Sequence, residues 1–342
     1  MKNVFVSRVL FAVILFIFFS SIYYLVFVKK EPFLEITSPP KQVMKITSVD
    51  TMKYSRDVAR EKLHDASFDT VIDRQVSDIA KTGATHIAIG APYDDEFTPF
   101  LKRWVQSARA HGLKVWFRGN FSGWEGWFNY PKIDRETHIK KTQSFIFANK
   151  DLFENGDIFG SCNECENGGP GDPRHNGDVE GHRIFLIEEY KVSRNAFNKI
   201  GKKVRANYNS MNGDVANLIM NKDTTKALDG IVVIDHYVKD PEKLITDIQE
   251  LSQKSGGKIV LGEFGAPIPD IHGNMTEEEQ ADWIRKALDK VLEMPEVIGV
   301  NYWVNVGGST HLWNNNGKEK LAVSVIRKYY LKNKLKAPLP NL

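Results

Sequence analysis

Cysteine is almost absent. The 342-residue chain holds two, Cys162 and Cys165, both inside FGSCNECENGGPGD (159–172). A fold built on a disulfide framework is therefore excluded. No second C-x-x-C exists, and His175 and His182 stand further apart than the H-x₃₋₅-H of zinc sites, so a zinc centre from Cys162, Cys165, His175 and His182 fits poorly. A thioredoxin-like pair would open a helix, whereas this one continues a strand-like run. The carboxylates Asp172, Asp178 and Glu180 match no calcium-loop spacing. No metal and no cofactor are expected. Charge of one sign is also missing: 46 Lys and Arg balance 43 Asp and Glu, leaving +3 with no long basic run. That argues against a nucleic-acid surface and points to a neutral or small partner. No internal repeat or low-complexity tract is evident.

Long apolar runs are absent except at the start. Residues 9–28 read VLFAVILFIFFSSIYYLVFV, uncharged and long enough to cross a bilayer, between Lys2 and Arg8 on one side and Lys29 and Lys30 on the other. Phe19 and Ile22 spoil any cleavage site around Ser20 and Ser21, so an uncleaved anchor is expected over residues 1–30. A proline-stiffened linker follows over 31–43 (EPFLEITSPPK and the residues after it). The flanking charges are nearly balanced and leave orientation open.

From Met44 onward, short β-branched or aromatic runs alternate with longer amphipathic stretches. The expected strands are 44–49, 85–90, 113–118, 157–162, 204–208, 230–237, 258–264 and 297–303. Between them, Thr98-Pro99 and Asp240-Pro241 mark helix starts and Thr276-x-x-Glu279 has the form of a capping box. Gly83, Gly112, Gly201 and Gly256 fall where helices should stop. Eight strand–helix units over about 290 residues fit a closed (β/α)₈ barrel, a TIM barrel, spanning 44–332, with 333–342 as a tail. An open doubly wound sheet is the weaker alternative. It would want a glycine-rich phosphate loop after the first strand, where SVDTMKYSRD stands.

A barrel places chemistry at the C-terminal ends of its strands. Strand four ends in Ser161-Cys162-Asn163-Glu164 and strand seven in Gly262-Glu263-Phe264, so two carboxylates rise from opposite sides of the mouth. Paired carboxylates suit glycoside hydrolysis, in which one group is held protonated and the other ionised. Asn-Glu closing strand four, Glu in LGEFG, Tyr237 closing strand six and Trp303 closing strand eight resemble the retaining glycoside hydrolases of clan A, nearest to family 5. The likeness covers the barrel from about Met44 to Lys328. It implies that Glu164 is the general acid/base, Glu263 the nucleophile, Asn163 a ligand of the sugar hydroxyl beside the anomeric carbon, Tyr237 a support for Glu263, and Trp303 a platform under the sugar. It departs from the pattern at Cys165, where many relatives have proline, and at Asp235-His236-Tyr237, where many have His-x-Tyr. A one-residue shift along a strand turns a side chain to the other face, which favours Tyr237 over His236.

Other rim residues expected to meet a sugar are Arg118 and Asn120 after strand three, Trp124 and Trp127 in GNFSGWEGWFNYP, Asn207 after strand five, and His236. Each has a structural alternative: an ion pair for Arg118, loop cover for Trp124 and Trp127, barrel core for Trp303. An extended 162–165 segment would separate the cysteine Cα atoms by about 10 Å, too far for a disulfide; only a sharp turn after Glu164 would join them. The expected protein is thus a membrane-anchored, monomeric barrel with an extracytoplasmic body, acting on a β-linked glycan. The rival functions are a non-catalytic glycan-binding barrel and a metal-dependent barrel hydrolase.

Overall fold

The computed structural model describes residues 43–336. The expected anchor, and the linker up to residue 42, lie outside them; among the described residues no helix is long and apolar enough to cross a membrane.

Eight strands form one parallel sheet: β1 (Ile46–Asp50), β2 (His86–Ile89), β3 (Lys114–Phe117), β4 (Ile158–Phe159), β5 (Ser210–Asn212), β6 (Ile231–Asp235), β7 (Lys258–Phe264) and β8 (Val297–Tyr302). Their order is β4-β3-β2-β1-β8-β7-β6-β5. The two ends meet through a parallel bridge between Ile158 and Arg205, where Phe159 N donates to the Arg205 carbonyl at 2.8 Å. This is the (β/α)₈ architecture. The expected fifth strand, 204–208, is therefore split in function. Its first half closes the barrel against β4, and the ladder to β6 begins only at Ser210.

One long helix packs after almost every strand: α1 (Asp69–Lys81), α2 (Thr98–Ala110), α3 (Arg135–Ala148), α4 (Val179–Lys199), α5 (Gly213–Ile219), α6 (Pro241–Ser255), α7 (Glu277–Val291) and α8 (Leu321–Lys336). Helix α6 is capped by the Asp240 side chain, and α7 by the reciprocal Thr276/Glu279 box. Helix α2 starts at Thr98 with no side-chain cap. Helix α8 continues past residue 332, because buried Asn333 accepts Met44 N at 2.6 Å and donates to its carbonyl at 3.0 Å. The expected tail thus begins as the clamp on the entry to β1.

The barrel interior is one apolar layer. Ile46, Ala88, Trp116, Ile158, Tyr208, Val233 and Val260 come from seven successive strand segments and pack together. Tyr208, the last residue of the expected fifth strand, belongs to this layer, its ring 5.8 Å from Trp116 and edge-on to it. Side chains two residues further along β3 and β6 point the same way and stand above it. Those positions are Arg118 and Asp235, and they form the floor of the mouth.

Candidate active site

Arg118 is fully buried and reaches across the barrel axis. Its Nη1 donates to Asp50 Oδ2 (3.1 Å) and to the Gly262 carbonyl (2.6 Å), and its Nη2 to Ser210 Oγ (2.9 Å) and Asp235 Oδ2 (3.1 Å). Nη2 also lies 3.1 Å from Glu263 Oε1. Burial works against this cation, but Asp235, Glu263, Asp50 and Glu164 outweigh it and hold its pKa above the ordinary arginine value. A buried charge needs such partners.

Glu263 enters the mouth through an irregularity. The β6/β7 register slips between Ile234 and Asp235, so that Asp235 pairs with Glu263 rather than with Gly262. Gly262 makes this possible, because a Cβ there would stand 2.5 Å from Asp235 Oδ1 and 2.9 Å from Ser210 Cβ. Glu263 is buried, with Arg118 on Oε1 and the Tyr237 hydroxyl donating to Oε2 at 2.7 Å. Burial and then the nearby Asp235 push its carboxyl up, while Arg118 and the Tyr237 bond pull it back. Tyr237, held well above its ordinary pKa by burial and then by Glu263, remains a donor.

Glu164 sits in a different setting. Its backbone is left-handed (φ 46°, ψ 48°), a conformation that costs a non-glycine residue on the order of 1 kcal/mol. The turn it makes folds the chain back into a short 3₁₀ segment, Cys165–Asn167, and brings the Cα atoms of Cys162 and Cys165 to 5.3 Å in a disulfide. The sharp turn on which the disulfide depended is therefore present. It takes both thiols out of any metal set, so the Cys/His zinc arrangement lacks its sulfur ligands. Asn209 Oδ1 accepts from Ser161 N at 2.8 Å and Cys162 N at 3.2 Å, and Glu164 N donates to the Ser210 carbonyl at 2.7 Å. The loop is thus fastened to the start of β5. Glu164 accepts from Asn167 Nδ2 at 3.1 Å and, among the described residues, touches no cation. Burial, then Glu263 and Glu166, push it up to about 8.

A bond closing a four-residue loop removes about 2 kcal/mol of unfolded-state freedom. The Cys162→Ser, Cys165→Ser variant should accordingly melt about 3 °C lower, with a larger fractional loss in any activity that uses Glu164. Calorimetry of oxidised, reduced and variant protein checks this. An unchanged melting temperature would show that the bond constrains nothing.

The remaining expected residues divide into two groups. Asn163 is buried between the end of β3 and β5, donating to the Gly119 carbonyl (3.3 Å) and accepting Ser210 N (3.4 Å). Trp303 is half-buried beside Tyr237, ring centroids 6.1 Å apart and nearly perpendicular. Asn120 donates to Glu125 Oε1 at 2.8 Å, and its Oδ1 faces His138 Nε2 at 2.9 Å. Trp127 is half-buried under the Arg56 guanidinium, 4.6 Å from its ring centroid. These lie at the strand ends or in the loops beyond them. Three others are engaged elsewhere. Trp124 is buried, stacked on Phe185 at 4.9 Å and donating to the Cys165 carbonyl, so it backs the disulfide loop from behind. Asn207 donates to the Leu228 carbonyl, ahead of β6. His236 points the other way from Tyr237, its Nε2 2.8 Å from Asp247 on α6.

Sequence reasoning passed over Asp50, Ser210, Asp235 and Asn301. Two further carboxyls, Glu125 and Glu166, act on Glu164. Burial pushes Glu125 up to about 7, against its Asn120 bond. Glu166 is buried, accepts both nitrogens of Asn212, and is raised chiefly by that burial. The signal for Asp235 was available. The alternation that selects Tyr237 also puts residue 235 on the inward face.

No protein-family model matches the chain, and no curated protein matches it in sequence. Solved structures do. A GH5_18 protein from Bifidobacterium longum subsp. longum, in complex with Manβ1-4GlcNAc, superposes with a TM-score of 0.64 at 13% identity, covering 86% of this chain and 80% of its own. The β-glycosidase BGL167 gives 0.57 at 14% identity, over 89% and 99%. A β-glucuronidase from an uncultured Clostridium sp. gives 0.54 at 17%, over 77% of this chain and 47% of its own. The chain thus spans about half the length of that β-glucuronidase. The resemblance to barrel glycosidases drawn from strand-end residues therefore holds for the three-dimensional fold.

Proposed function

We propose that the chain is a retaining β-glycoside hydrolase that cleaves a β-linked oligo- or polysaccharide by double displacement. One observation carries the reading. Buried Glu263 near the end of β7 and half-buried Glu164 in the loop after β4 stand in unequal surroundings, Glu263 held by a cation and a phenol, Glu164 without a cation in contact among the described residues. Glu164, Asp235 and Glu263 are all pushed up by burial and share one guanidinium, so they do not all ionise together. The proton stays where the cation is not in contact, on Glu164, and Glu263, which touches Arg118 and accepts the Tyr237 hydroxyl, is the anion. Glu263 attacks the anomeric carbon while Glu164 passes its proton to the departing oxygen, breaking the glycosidic bond and leaving a glycosyl ester on Glu263. Glu164, now a carboxylate, takes a proton from water as that water breaks the ester. Asn163 and Trp303 contact the sugar in the cleaved subsite, and Trp127 contacts its neighbours, while buried Asn120 holds Glu125 and His138 behind them.

Residues 9–28 anchor the enzyme, with the barrel outside the cytoplasm as a monomer; the Cys162–Cys165 disulfide supports an oxidising location. The glycosidases among the structural neighbours support the reaction class.

Proton NMR of an aryl β-glycoside digest tests the proposal. The β-hemiacetal should appear first, and kcat/KM should follow a bell whose basic limb lies near the value of about 8 to which Glu164 is pushed. First release of the α-anomer would replace retention by inversion. Oligosaccharide binding without hydrolysis would leave a glycan-binding barrel instead.

A further inference from the structure

Asp235 stands on the inward face of β6, between Val233 in the apolar layer and Tyr237 at the rim. Its Oδ2 accepts from Ser210 Oγ at 2.7 Å and from Arg118 Nη2 at 3.1 Å, while Oδ1 is buried without a hydrogen-bond partner. The same Arg118 nitrogen lies 3.1 Å from Glu263 Oε1. One nitrogen therefore serves two carboxylates from neighbouring strands. The backbone enforces the sharing, since the register slip pairs Asp235 with Glu263 and Gly262 vacates the space between them. Asp50 and the Gly262 carbonyl hold the other guanidinium nitrogen, and Asn301 donates to both of those acceptors, at 3.2 and 2.8 Å. Arg118 thus has no room to swing wholly to either partner.

We infer that Asp235 is a positioning residue that divides Arg118 with Glu263 and so sets how readily Glu263 gives up its proton, a role that rests on the glycosidase reading. The charged and titratable groups facing this pair come from every side. They are Asp50 from β1, Tyr93 after β2, Arg118 after β3, Glu164 and Glu166 after β4, Tyr237 after β6 and Glu263 on β7. Strand β8 adds the neutral Asn301. Arg118 alone is cationic among them, which is why its division matters. Burial raises the Asp235 carboxyl and Arg118 opposes it, and the charged form of Asp235 is the one that competes with Glu263 for the guanidinium.

The test is the pH dependence of kcat/KM for wild type, Asp235→Asn and Ser210→Ala, with Glu263→Gln as reference and thermal unfolding for each. Removing the Asp235 charge leaves Arg118 more fully to Glu263, so the acidic limb should move down by about one pH unit. Ser210→Ala removes a hydroxyl that stabilises ionised Asp235 and occupies Arg118, so it should move the limb the same way by less. If Asp235→Asn fails to fold, Ser210→Ala decides. Acidic limbs that stay at the wild-type position in folded variants overturn the role of Asp235. An inactive wild type, or an active Glu263→Gln, overturns the glycosidase reading itself.

Discussion

Glu263→Gln should lower turnover of an aryl β-glycoside by about four to six orders of magnitude, the scale on which removal of a covalent nucleophile acts. In free energy that is about 5–8 kcal/mol of barrier. The amide keeps the shape and can still accept the Tyr237 hydroxyl, so the loss is chemical rather than steric. Arg118 is not stranded by the change, because Asp50 and Asp235 remain at 3.1 Å. Stability should therefore change little, and the melting curve separates lost chemistry from lost fold. Glu263→Ala leaves an anion-sized gap beside Arg118. Added azide should fill it and attack the anomeric carbon from the nucleophile's side, giving an α-glycosyl azide. Residual turnover of Glu263→Gln above about one per cent, or azide products of β configuration, would place the nucleophile elsewhere.

The eight strand–helix units are readable because the information is local. Apolar runs such as KIVLGEF (258–264) match β7 end to end, and Asp240 and Thr276 mark their helices by side-chain bonds to residues three positions on. The fifth strand is not local. Arg205 is extended because Ile158 and Phe159, nearly fifty residues earlier, need a partner to close the barrel, and VRANY alone does not say that its pairing changes sides before Ser210. The two carboxylates of the mouth are legible because position at a strand end is enough to find them. What surrounds them depends on bulges. Glu263 faces inward beside Gly262 only because the register slips there, and strict alternation would have turned one of the two away. Trp124 shows the opposite limit. Its glycine-broken loop suggests a sugar platform, and only the fold reveals that Phe185 already stacks on the ring and that its N–H is spent on the disulfide loop.

Glu164→Gln should be harmful in proportion to how much the leaving group needs a proton. A dinitrophenyl glycoside departs unaided, so its first step should stay close to wild type. An unactivated disaccharide should lose about 10² to 10⁴-fold in kcat/KM. With the activated substrate the second step still lacks its base, so an initial burst of phenol followed by slow steady state is expected, with the glycosyl ester on Glu263 accumulating. The basic limb of the pH profile, which marks Glu164 losing its proton near the value of about 8 set by burial and by Glu263, should disappear. Stability offers an independent reading. In the folded protein Glu164 keeps its proton to about 8, whereas the unfolded chain releases it near the ordinary value of 4.5, so between those limits the native state binds more protons. Stability from this group is complete below the lower value and is lost as pH rises through the upper one. The amide does not titrate. The variant should therefore gain in melting temperature over wild type as pH rises from 5 to about 8. An equal penalty on activated and unactivated substrates, or a basic limb that survives the substitution, would show that another group delivers the proton.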